Sequence, residues 1–251
     1  MCKILVNIHR KDLFILVKAY TQLGEAYLNN RYYEQALDHL TTALKLNGSL
    51  FQKHEETKQY HSQILTLLGK RYMEAGSYKD ALSLLEKSLK MNVEVLGGDH
   101  MSNAQIFTVV SNVYTKQKEF EKALQQLKKV EQIYMSHSHD ALLQHEHLGN
   151  TYIEMAKVLG KVKEEDKLDE AILFQQKAVE AFTQLEKYAD SDYLAQIIMT
   201  LSELQEKAGR TEEALNSLRQ VEKIYKNNYS EMHSKTCKVK RNISLLCLKS
   251  D

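Results

Sequence analysis

The side chains best able to do chemistry in this sequence are a histidine-rich stretch over 136–147 (SHSHDALLQHEH), three cysteines and one basic run. His137 and His139, and likewise His145 and His147, stand two residues apart. A zinc site needs three or four ligands converging on one point, and on a helix an i, i+2 spacing sends side chains to different faces. Only a loop could bring His137 and His139 together, so the stretch predicts a polar inter-repeat loop and no metal. Cys2, Cys237 and Cys247 make no CxxC pair and no even-numbered framework. They predict reduced thiols in an intracellular protein. Lys235, Lys238, Lys240 and Arg241 form the concentrated basic run. It fits docking on an acidic surface such as a tubulin tail or an acidic partner helix, or a solvated helix face. The interleaved aromatics that stack nucleic-acid bases are missing from it. No phosphate-cradling glycine loop, HExxH helix, GxSxG elbow or Cys–His pair is present, and Gly97-Gly98 is followed by no Lys-Ser/Thr. These residues point to recognition, with no catalysis, cofactor or metal.

The elements that would position such residues are helices. The 251-residue chain contains no proline, where usage of ~5% would place about a dozen. Proline breaks helix interiors, so a chain without it suits helices and short connections. A hydrophobic share of 43% can bury a substantial core, and a net charge of +1 draws the chain to neither nucleic acid nor an acidic membrane. Residues 1–10 are interrupted by Lys3, His9 and Arg10 and lack the apolar core of a signal peptide. The apolar run over 13–17 is far too short to span a bilayer. A soluble, cytoplasmic protein is expected.

Self-similarity decides the architecture. Five segments carry nearly one word: EQALDHL, KDALSLL, EKALQQL, DEAILFQ and EEALNSL. Their alanines, Ala36, Ala81, Ala123, Ala171 and Ala214, recur 42 to 48 residues apart. Twelve residues before four of them lies a small residue, Gly24, Gly69, Ser111 or Ser202, and Tyr27, Tyr72 and Tyr114 follow three residues after the first three of these. Glycine inside a helix costs about 1 kcal/mol against alanine, so its recurrence calls for close packing. Each unit thus reads as antiparallel helices A and B, joined near 29–30, 75–76 or 208–209.

This word resembles the tetratricopeptide repeat family across most of the chain. It departs where that family commonly has a tryptophan in helix A, replaced here by Tyr20, Leu65, Phe107, His145 and Ile198, and in lacking the proline that ends helix B. The long period is similar to that of kinesin light chains, as is the connector over 95–100 (VLGGDH), with Met101 where proline is usual. The resemblance implies an all-α, right-handed α-α superhelix of about five helix pairs plus a C-terminal capping helix. Within a single domain over 1–251, units are expected near 17–50, 62–98, 104–136, 142–186 and 195–228, with the cap over 230–249. Residues 1–10 read as the tail of a preceding helix. Ser230 would start the cap, and Cys237, Val239, Ile243 and Leu246 would form its apolar stripe. Unit four holds ten extra residues between Gly149 and Ala171, near 158–168, read as a longer helix A with a charged loop or as a contact element.

In the family, A helices line a concave groove that grips a partner peptide or helix. By offset from the small position, the expected groove residues include Lys18, Thr21 and Glu25; Lys70 and Glu74; Asn112 and Lys116; Asn150 and Glu154; and Glu203 and Lys207. Asn112 and Asn150 hold equivalent positions, and an amide that both donates and accepts suits gripping a backbone. The lysine–asparagine–arginine set of carboxylate-clamping members is not reproduced. The resemblance implies an adaptor for other proteins or, alternatively, a permanent component of a cytoskeletal or ciliary assembly.

Overall fold

The computed structural model describes residues 2–48, 50, 55–136, 141–162 and 164–250. Among them the chain is all helix and turn, with no strand, and none of the helices is long and apolar enough to cross a membrane. It divides into two compact units, Met1–Ile133 and Tyr134–Asp251.

The first unit holds α1 (Cys2–Asn29), α2 (Tyr33–Gly48), α3 (Glu55–Glu74), α4 (Tyr78–Leu96), α5 (Met101–Lys116) and most of α6 (Phe120–Ser136). α1 pairs with α2 and α3 with α4, while the A helices α1, α3 and α5 touch in sequence. α6 lies on α5, with Lys129 over the Phe107 ring and Lys122 over Tyr114. Residues 2–10 are not the tail of a separate helix. They are the first turns of α1 itself, because no glycine or proline interrupts the chain before Gly24.

Packing of each pair turns on the small residues. A Cβ built on Gly24 would stand 2.6 Å from Leu40 Cγ, and one on Gly69 2.8 Å from Leu85 Cγ. The residue seated against each glycine is therefore the leucine one turn after the repeated alanine. The alanine lends its backbone carbonyl, 3.5 Å from that Cβ for Ala36 and 3.4 Å for Ala81. Ala36, Leu40, Ala81 and Leu85 have no exposed surface.

Four of the A–B turns share one device. Arg31, Gly76, Lys118 and Gly209 all have positive φ (63°, 79°, 64° and 72°), each five residues before its alanine. The residue after each bonds back to helix A, as in Tyr32 N–H to Tyr27 O and Ser77 N–H to Tyr72 O, both 2.9 Å. This left-handed cap satisfies carbonyls that a helix end otherwise leaves open.

The second unit holds α7 (Ala141–Leu159), α8 (Glu165–Thr183), a 3-10 turn (Glu186–Tyr188), α9 (Asp192–Lys207), α10 (Thr211–Asn228) and α11 (Ser234–Ser250). Here a Cβ built on Gly149 would stand 2.7 Å from Phe182 Cε2 and 3.3 Å from the Ala181 methyl, with Ala171 not among its nearest neighbours. The extra residues near 158–168 have gone into the helices, ending α7 and beginning α8. Only 160–164 connect them, with a charged tip at Lys161 and Glu164. The cap starts at Ser234 rather than Ser230. Val239 and Leu246 are buried and Ile243 packs beside them, whereas Cys237 is exposed and a buried Thr236 takes the inner place.

Candidate interaction surface

In the first unit the A helices build a cleft of about 460 Å³. Glu25 of α1, Gln63 and Thr66 of α3 and Gln105 of α5 line it, joined by Asn92 and Tyr60. Successive A helices present equivalent positions side by side, so residues one period apart in sequence become neighbours. At its base a hydroxyl cluster is closed on itself: Ser62 and Ser88 are 2.7 Å apart, and Thr66 and Ser88 2.8 Å. The amides of Gln63 and Gln105 are exposed, each able to donate and accept.

The other expected groove residues of this unit have varied fates. Lys18 places its ammonium 4.6 Å from the Phe14 centroid and 5.3 Å from that of Tyr60. Lys70 donates to Asn29 Oδ1 at 3.2 Å, and Lys116 pairs with Glu74 at 3.1 Å, so three of these side chains tie neighbouring A helices together. Asn112 is half-buried on α5. Thr21 is a correction: it is buried, and its hydroxyl donates to Val17 O at 2.7 Å within its own helix. Thr66, at the equivalent place on α3, bonds the Ser62 carbonyl in the same way at 2.9 Å yet reaches the cleft.

In the second unit Asn150 accepts from the Tyr193 hydroxyl at 2.9 Å, and Glu154 pairs with Lys157 at 2.7 Å. Glu203 lines a smaller cleft of about 250 Å³ with Ser202, Glu206, Asn242 and Leu245. Lys207 is exposed at the end of α9. Two carboxylates act as struts between elements. Glu146 of α7 accepts from Lys187 and, at 2.8 Å, from the Tyr188 hydroxyl. Asp192 of α9 accepts from Lys235 and, at 2.6 Å, from the Tyr229 hydroxyl. Bonds from Lys187 hold the Glu146 carboxyl below its ordinary range, and bonds from Lys235 do the same for Asp192. Sequence reasoning passed over both struts, although their partners lie roughly one period apart, and that spacing was the available signal.

The basic run is half neutralised. Lys235 is held by Asp192 and Lys240 lies 3.5 Å from Glu231, while Lys238 and Arg241 are exposed. His137 and His139 lie outside the described residues. His147 stacks on Tyr134 at 4.6 Å with rings 6° from parallel. Among the described residues no three His, Cys, Asp or Glu side chains gather to hold a metal.

Comparison with known proteins agrees with this architecture. Tetratricopeptide repeat models match residues 17–50 and 60–136. No curated protein matches the sequence. Among solved structures, BtubC (BKLC) from P. vanneervenii is similar at 17% identity with a TM-score of 0.72, covering 90% of this chain and 85% of that one. A Podosopora anserina putative kinesin light chain with nearly identical TPR-like repeats matches at 16% identity and a TM-score of 0.62, covering 85% of this chain and 97% of its own. The apo form of RapI matches at 14% and 0.64, covering 93% and 84%. These likenesses establish the fold as an all-α helical-hairpin solenoid.

Proposed function

We propose that this chain, a tetratricopeptide repeat protein, is a non-catalytic scaffold that holds a segment of another protein in the cleft on α1, α3 and α5. The repeat family supports protein–protein interaction in general terms. The observation that carries the finer reading is the cleft lining. Gln63 and Gln105 offer exposed amides over a base of hydroxyls already bonded to one another. Such a surface can hydrogen-bond the backbone of an extended segment without selecting strongly for its side chains. An open cleft between packed helices also lacks the enclosed, water-excluding pocket that most catalysis uses.

A photo-crosslinking side chain placed at Gln63 or Gln105 is expected to capture partner protein, while the same group at Lys87, exposed on α4, captures little. Replacing both glutamines by alanine should weaken retention of that partner by roughly tenfold, as for a central interface cluster. Equal capture from Lys87 and from the cleft would overturn the assignment.

A further inference from the structure

The corner where α1 turns into α2 carries a feature separate from the A-helix cleft. Its turn needs a residue with positive φ; of the three equivalent turns two use glycine, Gly76 and Gly209, and one uses Lys118. Here the position is Arg31, at φ 63°. A side-chain-bearing residue is disfavoured in that region, so the arginine costs the turn some stability.

Arg31 opens onto a cleft of about 450 Å³ shared with Tyr32, Tyr33, Glu34 and Arg71. A second cleft, about 320 Å³, shares Arg31 and Tyr33 and reaches Lys70. Three cations therefore border two adjoining hollows. Among the described residues no carboxylate lies within ion-pair distance of any of them. Glu74, in the second hollow, is taken by Lys116, and Lys70 donates instead to the neutral Asn29 amide. Glu34 supplies the first hollow's one carboxylate, leaving a positive excess. The Nε of Arg71 is buried and has no hydrogen-bond partner. Tyr32, 57% exposed and edge-on to Tyr27, supplies an apolar wall beside the charges.

We propose that this corner is a second docking site, distinct from the A-helix cleft, for an acidic segment of a partner protein. The guanidinium of Arg71, with that of Arg31, takes one carboxylate, since the planar fork of donors matches its two oxygens. Lys70 receives a second carboxylate further along, and an apolar residue between them lies on Tyr32. Two hollows with separated cations suit a segment carrying several acids better than a single small ion.

The test uses the full chain and a capped peptide of glutamates around one phenylalanine. Amide chemical-shift changes are expected over residues 31–35 and at Arg71. Arg71→Gln and Arg31→Gly should each weaken peptide binding about tenfold or more, the scale of a lost charged hydrogen bond. Arg31→Gly should at the same time raise the thermal midpoint, because glycine relieves the positive φ. Shift changes confined to other surfaces, unaltered affinity in both variants, or a lowered midpoint for Arg31→Gly would overturn the proposal. Inorganic phosphate that displaced the peptide at equal concentration would reassign the corner to free anions, and it too would overturn it.

Discussion

Gly24 and Gly69 are specified by what they face. At Gly24 an added methyl would meet Leu40 Cγ and Cδ2 at 2.6 and 2.7 Å, and Leu40 is wholly buried with nowhere cheap to go. Alanine gains about 1 kcal/mol of helix propensity, but overpacking a filled core costs about 1–3 kcal/mol, and the backbone carbonyl of Ala36 blocks retreat on that side. Gly24→Ala is therefore expected to destabilise the first unit by up to about 2 kcal/mol in chemical denaturation, against the intrinsic propensity of the two residues. The double variant with Leu40→Ala should lose distinctly less than the sum of the singles, because the new methyl then occupies part of the vacated space. Additive losses would show that Gly24 and Leu40 do not share one packing contact. Thr21 teaches the complementary lesson. Its offset from the small position suggested the groove, but a threonine hydroxyl can bond the carbonyl one turn back, and that is where it is used.

At the scale of the element, the four A–B turns show which part of the fold was legible in the sequence. The repeated alanines and small residues could be read because close helix approach admits few residue types. Gly76 and Gly209 announced their turns because glycine is the residue that adopts positive φ freely. Arg31 and Lys118 do the same job with nothing in their chemistry to say so. Lys118→Gly should therefore stabilise the α5–α6 hairpin by roughly 1 kcal/mol, the steric penalty of a Cβ in the left-handed region. A thermal midpoint that fell on this change would mean the lysine side chain holds the turn through contacts. The seat of Gly149 in unit four was not legible for another physical reason. α8 buries alanines at 171, 178 and 181, and each could seat a glycine. The choice depends on how far the lengthened helices run before turning, which spacing alone does not encode. The struts of the second unit were missed because an ion pair across elements needs the helix register before charges one period apart become neighbours.

For the whole molecule, the groups with displaced titration fall into the two units differently, and their signs give separable acid responses. In the first unit, burial lowers the pKa of His61, whose Nδ1 lies 3.4 Å from Asn47 Nδ2. A histidine kept neutral by folding binds its proton more readily in the unfolded chain, so stability is full above the ordinary histidine pKa of about 6.5 and declines as pH falls below it. In the second unit, Glu146 and Asp192 are held as carboxylates by Lys187 and Lys235. Their contribution is intact above the usual carboxylate range and is lost as pH falls below about 4. Both struts are partly exposed, so each effect is modest and salt-sensitive. Hydrogen exchange, corrected for intrinsic rates, is expected to speed up first around Asn47 and Thr57, where α2 meets α3, as pH falls below about 6.5. Exchange where α9 meets α11 should follow only below about pH 4. Asp192→Asn removes the charge that Lys235 bonds and should flatten the second response while leaving the first. A single simultaneous loss of protection in both units would show that these groups do not govern the acid behaviour.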